Sequence, residues 1–435
     1  MGEMSQIRDR AELESAPAAS RRKHRIGQWR DWSRWSNINL LRILGCLALA
    51  LVGLELLLEP LTELGFAYRI THSVGQGGTM TLFFIVAATI GRNTLSRAMP
   101  KAAFGPEKTD IQLARDIVAQ QDDAAAGLVA LGDKQILFSD CGQAFLMYGR
   151  RGRTWVVLAD PVGPRAVWPN LVTKMVRKAK AAGHRVAFYQ VSQAFLPTAV
   201  DSGFRLFKLG DQAVVDLPGF DLKGGDWLKL RRSINRAERD GLEFAVLAPA
   251  EVALVMDELG AVSDTWLAHH NATEKGFSLG TFQRGYVASH PLAVIRLAGR
   301  IVAFANILTT QTRSGAFIDL MRHVPGVHRG AMDLLFVRTI QHLQAEGYQQ
   351  LNLGMAPLSG LSNRSCAPLW HRLGRFVFEH GERFYNFKGV QAFKTKFHPE
   401  WQPRYLAVYD KRQVPETVID IVLLIGGGLR GLVRR

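Results

Sequence analysis

Cysteine is scarce. Only three occur in 435 residues, at positions 46, 141 and 366, and no two form a CxxC pair. That excludes a disulfide framework and fits a reducing compartment. No HExxH stretch and no Cys/His cluster occurs, so nothing points to a metal. Acidic residues are in deficit: Asp+Glu 38 stand against Lys+Arg 54, a formal net charge of +16. Such an excess favours an anionic partner, nucleic acid or anionic lipid, without separating the two. Long apolar runs are also few. Ile38 to Leu58 is long enough to span a bilayer. Thr79 to Gly91 is shorter than a full span, and either spans with tilt and flanking residues or is re-entrant or interfacial. A buried core helix is the alternative for both runs.

What is present divides the chain. Residues 1–36 are polar and basic, with Arg21-Arg-Lys-His-Arg25 and Trp29, Trp32 and Trp35, and read as a tail ending in an interfacial tryptophan belt. Residues 37–100 hold the membrane candidates, a helical hairpin if both runs span. Basic residues lie before it and after it (Arg92, Arg97, Lys101, Lys108), which puts both flanks and the following domain in the cytoplasm. From 110 onward the pattern is α/β. Asp110 to Gln120 reads as a helix, and Gln135–Phe138, Ala144–Tyr148 and Thr154–Leu158 as antiparallel strands. A helix from Trp168 to Ala182 and a strand from His184 to Val191 follow.

The same order returns. Leu292–Leu297, Ile301–Thr309 and Ser314–Met321 read as strands, followed by a helix over 331–345 and a strand over 349–353. In that helix Met332, Phe336, Ile340 and Leu343 recur at helical spacing, and Gly347 stops it as Gly183 stops its counterpart. The expectation is a mixed α/β sheet in two tandem halves, 110–220 and 221–412, followed by an amphipathic segment at 413–435. Gly426 to Gly431 spells GxGxxG, but no strand–helix unit follows and a dinucleotide site is rejected.

Three clusters could carry chemistry. Arg232, Asn235, Arg236 and Arg239 share one face of a helix and read as either phosphate contacts or a solvated face. Asp319 and Arg322 end a strand beside His323: they form an ion pair or bind a cationic amino group, and His323 is either structural or a general base. Arg383 to Arg412 interleaves cations (Lys388, Lys394, Lys396, Arg404) with aromatic rings. That suits nucleic acid or an anionic membrane, or else an antiparallel strand pair with one wet face. Gly326 and Gly330 precede the 331–345 helix, where free N–H groups favour an anion, so an anion-binding turn and a plain βαβ unit both stay open. This order of strand, Gly-bearing turn, helix and strand resembles the central unit of the GNAT acyltransferase fold, where such a turn holds the acyl donor.

An ordered series of stretches carries a wider resemblance. Lys208-Leu-Gly-Asp-Gln-Ala213, the arginine stripe, Glu274-Lys-Gly-Phe-Ser-Leu-Gly280, Ala303-Phe-Ala-Asn306, Asp319-Leu-Met-Arg322, Asn352-Leu-Gly-Met-Ala-Pro-Leu-Ser359, Tyr385-Asn-Phe-Lys-Gly389 and Phe393-Lys-Thr-Lys-Phe397 follow one another. Over roughly 110–412 the chain thereby resembles the phosphatidylglycerol lysyltransferase (multiple peptide resistance factor) family. The resemblance implies tandem GNAT-like folds and transfer of lysine, or alanine, from aminoacyl-tRNA to the headgroup of phosphatidylglycerol. Aminoacyl-tRNA is then a co-substrate, and no cofactor is expected. By the same resemblance Asp319 and Arg322 belong to the catalytic centre, and His323 beside them is the candidate base read from its own chemistry. Arg232, Arg236, Glu274, Lys275, Asn306, Gly330, Asn352, Met355, Ser359, Glu382, Tyr385, Lys388, Lys394, Lys396 and Arg404 are the expected substrate contacts. A modified lipid would lower the negative charge of the membrane and weaken binding of cationic peptides. Full-length family members carry many membrane helices with a flippase module; this chain has room for about two, so either a separate flippase is a partner or the product stays in the inner leaflet. Two other classes stay open: a tRNA- or acyl-CoA-dependent transferase with another acceptor, and a membrane-tethered RNA- or lipid-binding module.

Overall fold

The computed structural model describes residues 108–270, 272–362 and 387–427. The tail at 1–36, both apolar runs, Glu382 and Tyr385 lie outside the described residues. Among the described residues no helix is long and apolar enough to cross a membrane.

Helix α1 (Lys108–Ala119) and a 3-10 segment (Ala124–Leu131) lead into the first half. Strands β1 (Gln135–Phe138), β2 (Phe145–Arg151) and β3 (Thr154–Leu158) run antiparallel. The TWVVL sequence of β3 is buried at every position, as β-branched and aromatic residues on a two-sided sheet should be. Helix α2 (Trp168–Ala181) buries Trp168, Leu171, Val172, Met175 and Ala179, a three-and-four spacing that makes one apolar stripe. It crosses to β4 (Arg185–Val191), which lies parallel to β3. Short helix α3 (Leu196–Asp201) and long strand β5 (Arg205–Asp216) close this half.

The second half repeats the plan after α4 (Leu228–Arg239), β6 (Leu242–Leu247), α5 (Pro249–Leu254), α6 (Met256–His269) and α7 (Arg284–Val287). Strands β7 (Leu292–Leu297), β8 (Arg300–Thr309) and β9 (Gly315–His323) are antiparallel, and α8 (Ala331–Ala345) crosses to β10 (Gln350–Pro357), parallel to β9. The repeated helix stop is real: Gly183 and Gly347 take left-handed φ values of 71° and 84°. Helix α9 (Phe387–Thr395), strand β11 (Glu400–Val408) and helix α10 (Val414–Ile425) complete the described chain.

The two halves are interlocked. Each sends its last strand beside the crossover strand of the other: β5 pairs antiparallel with β10, β11 with β4, and β5 with β11 between them. One 11-stranded sheet results, in the order β1-β2-β3-β4-β11-β5-β10-β9-β8-β7-β6. The fold is therefore a mixed α/β sheet made of two GNAT-like halves. The Arg383–Arg412 stretch is not a strand pair: its described part is a helix followed by a strand at the centre of this sheet.

Helices α4 and α8 cover one face of the second half, with Leu230, Ile234, Leu334, Phe336 and Ile318 in one core. The opposite face packs Leu259 and Val262 of α6, Tyr286 of α7 and Leu131 against Phe304 and Leu320. Of the expected amphipathic segment 413–435, the part up to Gly427 is described, and its helix α10 lies against the first half. Asp420 accepts a 2.6 Å hydrogen bond from Thr154, Arg185 pairs with Glu416 at 2.5 Å, and Ile419 and Val422 are exposed on the outer side.

Two irregularities open the sheet. Strands β9 and β10 pair only over 315–317 and 350–352, then separate. Past that point β10 shifts register between Asn352 and Met355, with Gly354 at φ 81°, and β8–β9 shifts between Ala305 and Ile307. Asp319 and Gly354 each lie two residues beyond the last pair, level across the gap.

Candidate active site

Asp319 sits on β9 at this gap. Its Oδ1 accepts from the Gly280 backbone N–H at 2.7 Å, and its Oδ2 accepts from the Tyr286 hydroxyl at 2.7 Å. Burial raises the Asp319 carboxyl above its ordinary range; the Tyr286 hydroxyl, the Gly280 N–H and the nearby Lys134 ammonium pull it back down. Tyr286 is pushed well above its ordinary value by burial and then by the Asp319 charge, so it stays protonated and keeps donating. Asn306, wholly buried on β8, accepts from the Leu320 N–H at 2.7 Å. Its Nδ2 has no partner, although the side chain lies close enough to Asp319 and Tyr286 to favour their charged forms.

Arg322, one turn of the strand further, is clamped. It donates to Glu274 at 3.0 Å and to the Met321 carbonyl at 3.0 Å, and its guanidinium lies 4.3 Å from the ring centroid of Trp266. Of the two readings of Asp319 and Arg322, the direct ion pair is absent among the described residues; Glu274 pairs with Arg322 instead. His323 is lowered below its ordinary value, by burial first and then by His270 and His269, so it is neutral at pH 7. His270 stacks on Trp266, which gathers Trp266, Arg322 and the histidines in one layer.

Across the gap, Lys394 of α9 donates to the Met355 carbonyl at 2.9 Å and is buried. Burial lowers its pKa to about 7. Lys388 is on the same helix. Asn352 accepts from the Gly354 N–H, and Ser359 joins Asp211 N–H to the Ala356 carbonyl, so both shape the β10 end. Lys396 pairs with Asp333 at 2.8 Å. Gly330 is buried, and a Cβ there would meet the Ser233 carbonyl at 2.9 Å. Ser233 also donates to Asp333, whose carboxylate already occupies the first turn of α8. The expected anion site at the Gly330 turn is thus closed by α4 and by an internal carboxylate.

Arg232, Asn235, Arg236 and Arg239 are exposed together on α4, as their spacing required. Lys275 is also exposed. Arg404 lies elsewhere. With Asn352, Gln212, Asp160 and Ser192 it lines a cavity of about 480 Å³ against the first half. Asp160 there accepts from Ser192 N and Oγ at 2.8 and 2.5 Å, and burial raises its pKa. Gly315 and Ala316 of β9 also line the cavity, which puts it about 10 Å along the strand from Asp319. The structure therefore separates the expected contacts into the Asp319 centre, the α4 face and this cavity.

Sequence reasoning missed Tyr286, Trp266, Asp133 and Lys134. Only the quoted Glu274–Gly280 stretch touches this group, through the Phe277 N–H that donates to Asp133. The class defined by this geometry is a tandem GNAT-like fold with a carboxylate–arginine centre in its second half. The model of the family described as phosphatidylglycerol lysyltransferase, C-terminal, matches residues 115–408, and the chain belongs to that family. It is 35% identical over 359 residues to a phosphatidylglycerol lysyltransferase of Bacillus subtilis, covering 82% of this chain and 41% of that protein. A Staphylococcus aureus phosphatidylglycerol lysyltransferase is 31% identical over 299 residues, 68% of this chain and 35% of its own. The chain spans about two fifths or less of these relatives' length. Among solved structures, the C-terminal domain of a putative lysylphosphatidylglycerol synthetase from Agrobacterium fabrum has a TM-score of 0.68 and 51% identity, covering 74% of this chain and 98% of that one. L-PGS from Bacillus licheniformis has 0.67 and 35%, covering 75% and 99%.

Proposed function

We propose that this chain transfers an aminoacyl group, lysine or else alanine, from aminoacyl-tRNA to the glycerol headgroup of phosphatidylglycerol. The observation that carries the reading is the Asp319 centre: a partly enclosed carboxylate with two fixed donors, beside an arginine clamped by Glu274 and Trp266. The family match supports the lipid acceptor. Asp319 retains lone pairs for the α-ammonium of the aminoacyl group. The lipid hydroxyl oxygen forms a bond to the ester carbonyl carbon, the bond from that carbon to the ribose oxygen breaks, and the lipid proton ends on the ribose oxygen. Because one ester replaces another, the step is nearly balanced and depends on positioning and proton transfer. His323 and Lys394 are both held toward neutral forms by burial, which suits either to accept the hydroxyl proton. Arg322 offers fixed positive charge to phosphate or to the developing oxyanion. The cavity with Arg404 suits the acceptor headgroup, and the α4 face suits tRNA phosphates.

The product lowers the negative charge of the membrane and so favours resistance to cationic peptides. On this reading the apolar runs at 38–58 and 79–91 anchor the enzyme in the plasma membrane with the catalytic domain cytoplasmic. The test is expression in a bacterium without aminoacylated lipids, followed by lipid extraction and mass spectrometry. A new phosphatidylglycerol derivative, absent with Asp319→Asn, is the expected result, and its mass names the amino acid. No new lipid from folded, membrane-associated protein overturns the reading.

A further inference from the structure

The loop over the Asp319 centre is fastened from outside its own half as well as from within it. Between Glu274 and Phe282 it is pinned at three backbone points: Gly276 N–H to the Ile425 carbonyl of α10 at 2.9 Å, Phe277 N–H to Asp133 Oδ2 at 2.7 Å, and Gly280 N–H to Asp319 at 2.7 Å. Phe277 has φ 62°, a left-handed value that a bulky residue holds only under constraint from its surroundings. Asp133 supplies that constraint. Its other oxygen accepts from Lys134 Nζ at 2.6 Å, and the same ammonium donates to the Leu128 carbonyl at 3.0 Å. Lys134 is 2% exposed, unusual for a lysine; burial lowers its pKa, and the Asp133 carboxylate first and then Asp319 hold its ammonium against that penalty.

We propose that the Asp133–Lys134 pair, from the first half, is a positioning element for the reaction in the second: Asp133 fixes the loop carrying Glu274 and Gly280, and Lys134 provides a buried positive charge toward Asp319. The charged and titratable groups around Asp319 are Lys134 and Asp133 on one side, Tyr286 on α7, and Arg322 with its partner Glu274. His290, packed against Tyr286, is lowered to about 4 by burial and Arg115 and is neutral at working pH. Lys134 is thus the cation among them with no role in clamping Glu274. The inference rests on Asp319 being the reactive centre.

The full-length chain is assayed with lysyl-tRNA and phosphatidylglycerol vesicles. Asp133→Ala should lower kcat about 100-fold by releasing the loop. Asp133→Asn, which can still accept from the Phe277 N–H, should recover most of that loss. Lys134→Met, or Lys134→Gln should the methionine variant not fold, should move the acid limb of the kcat/KM profile up by about one pH unit, because Asp319 loses a stabilising charge. Folded Asp133→Ala with ordinary kcat, or an unmoved acid limb in the Lys134 variant, overturns the proposal. Asp319→Asn is run in parallel. Loss of transfer there keeps the underlying reading, so that failure of the other variants counts against the pair alone; retained transfer overturns the reading and the pair with it.

Discussion

The backbone N–H of Gly280 lies 2.7 Å from Asp319 Oδ1, and a Cβ built on residue 280 would fall inside contact distance of Oδ2 of the same carboxylate. Glycine is required here by space, not by backbone angle. Gly280→Ala should therefore displace Asp319 by an ångström or so and cut kcat about 100-fold. The stability loss should be only about 1–3 kcal/mol, as for overpacking elsewhere. Gly276→Ala is the control, since its Cβ would sit 3.2 Å from Asp133 and needs only a slight shift. Steady-state kinetics with thermal unfolding of both variants checks this; equal kinetic losses would remove the special status of position 280.

Arg322 is held by one guanidinium nitrogen donating to Glu274, by another donating to the Met321 carbonyl, and by the face of Trp266. A lysine keeps the charge but has neither the planar fork nor the stacking surface. Arg322→Lys should lower kcat/KM about 10- to 100-fold, which is about 1.4–2.7 kcal/mol of transition-state stabilisation. Glu274→Gln should lose less. The two changes combined should be non-additive by about 0.5–3 kcal/mol, since they share one contact. An additive double mutant would show that the ion pair plays no part in the reaction.

Much of this architecture was legible in local pattern. The bounds of β1, β3, β7 and α8 match those read from apolar spacing, because each buries a stripe or a full run that its own residues dictate. The paired glycines at 183 and 347 revealed the duplication. The strand exchange was not legible, since β5 and β11 meet across nearly two hundred residues and neither sequence names its partner. The site was half legible. Asp319 and Arg322 stood out, but their geometry depends on Tyr286, Trp266 and the loop at 280, which come from other segments. Lys134 was invisible for a clear reason: an Asp-Lys pair after a helix reads as a solvated turn, and only tertiary packing buries it. The Gly330 turn stayed open between an anion site and a plain βαβ unit, because local sequence does not show the α4 backbone that packs against it or the Ser233–Asp333 hydrogen bond.

The α4 face offers a test of the nucleic-acid contact. Arg232, Arg236 and Arg239 are exposed, and the Arg236–Asp240 pair at 3.3 Å is solvated enough to add little to stability. Replacing all three arginines by glutamine should leave the melting temperature within a degree or two. The KM for aminoacyl-tRNA should rise, and the salt dependence of log KM should flatten by about 2–3, the number of phosphate contacts removed. A salt slope equal to that of the unaltered protein would place the tRNA elsewhere.

Lys394 should trade stability for activity. Its folded pKa of about 7 lies below the ordinary value of 10.5, because burial disfavours the ammonium. Between these two values the unfolded chain binds a proton that the folded chain does not, so stability rises with pH across about 7 to 10.5. Below 7 both states are protonated and the burial penalty is present in full; above 10.5 neither is, and it vanishes. Lys394→Met fills the same space without a charge. It should be more stable than the parent by a few kcal/mol at pH 6–7, with the gap closing as pH rises. If Lys394 serves the reaction, the same variant should lose transfer while it gains stability. Denaturant unfolding at several pH values, beside the transfer assay, checks both. A stabilised variant with full activity would make Lys394 a structural residue, whereas a destabilised one would mean that its ammonium is compensated by groups beyond the Met355 carbonyl.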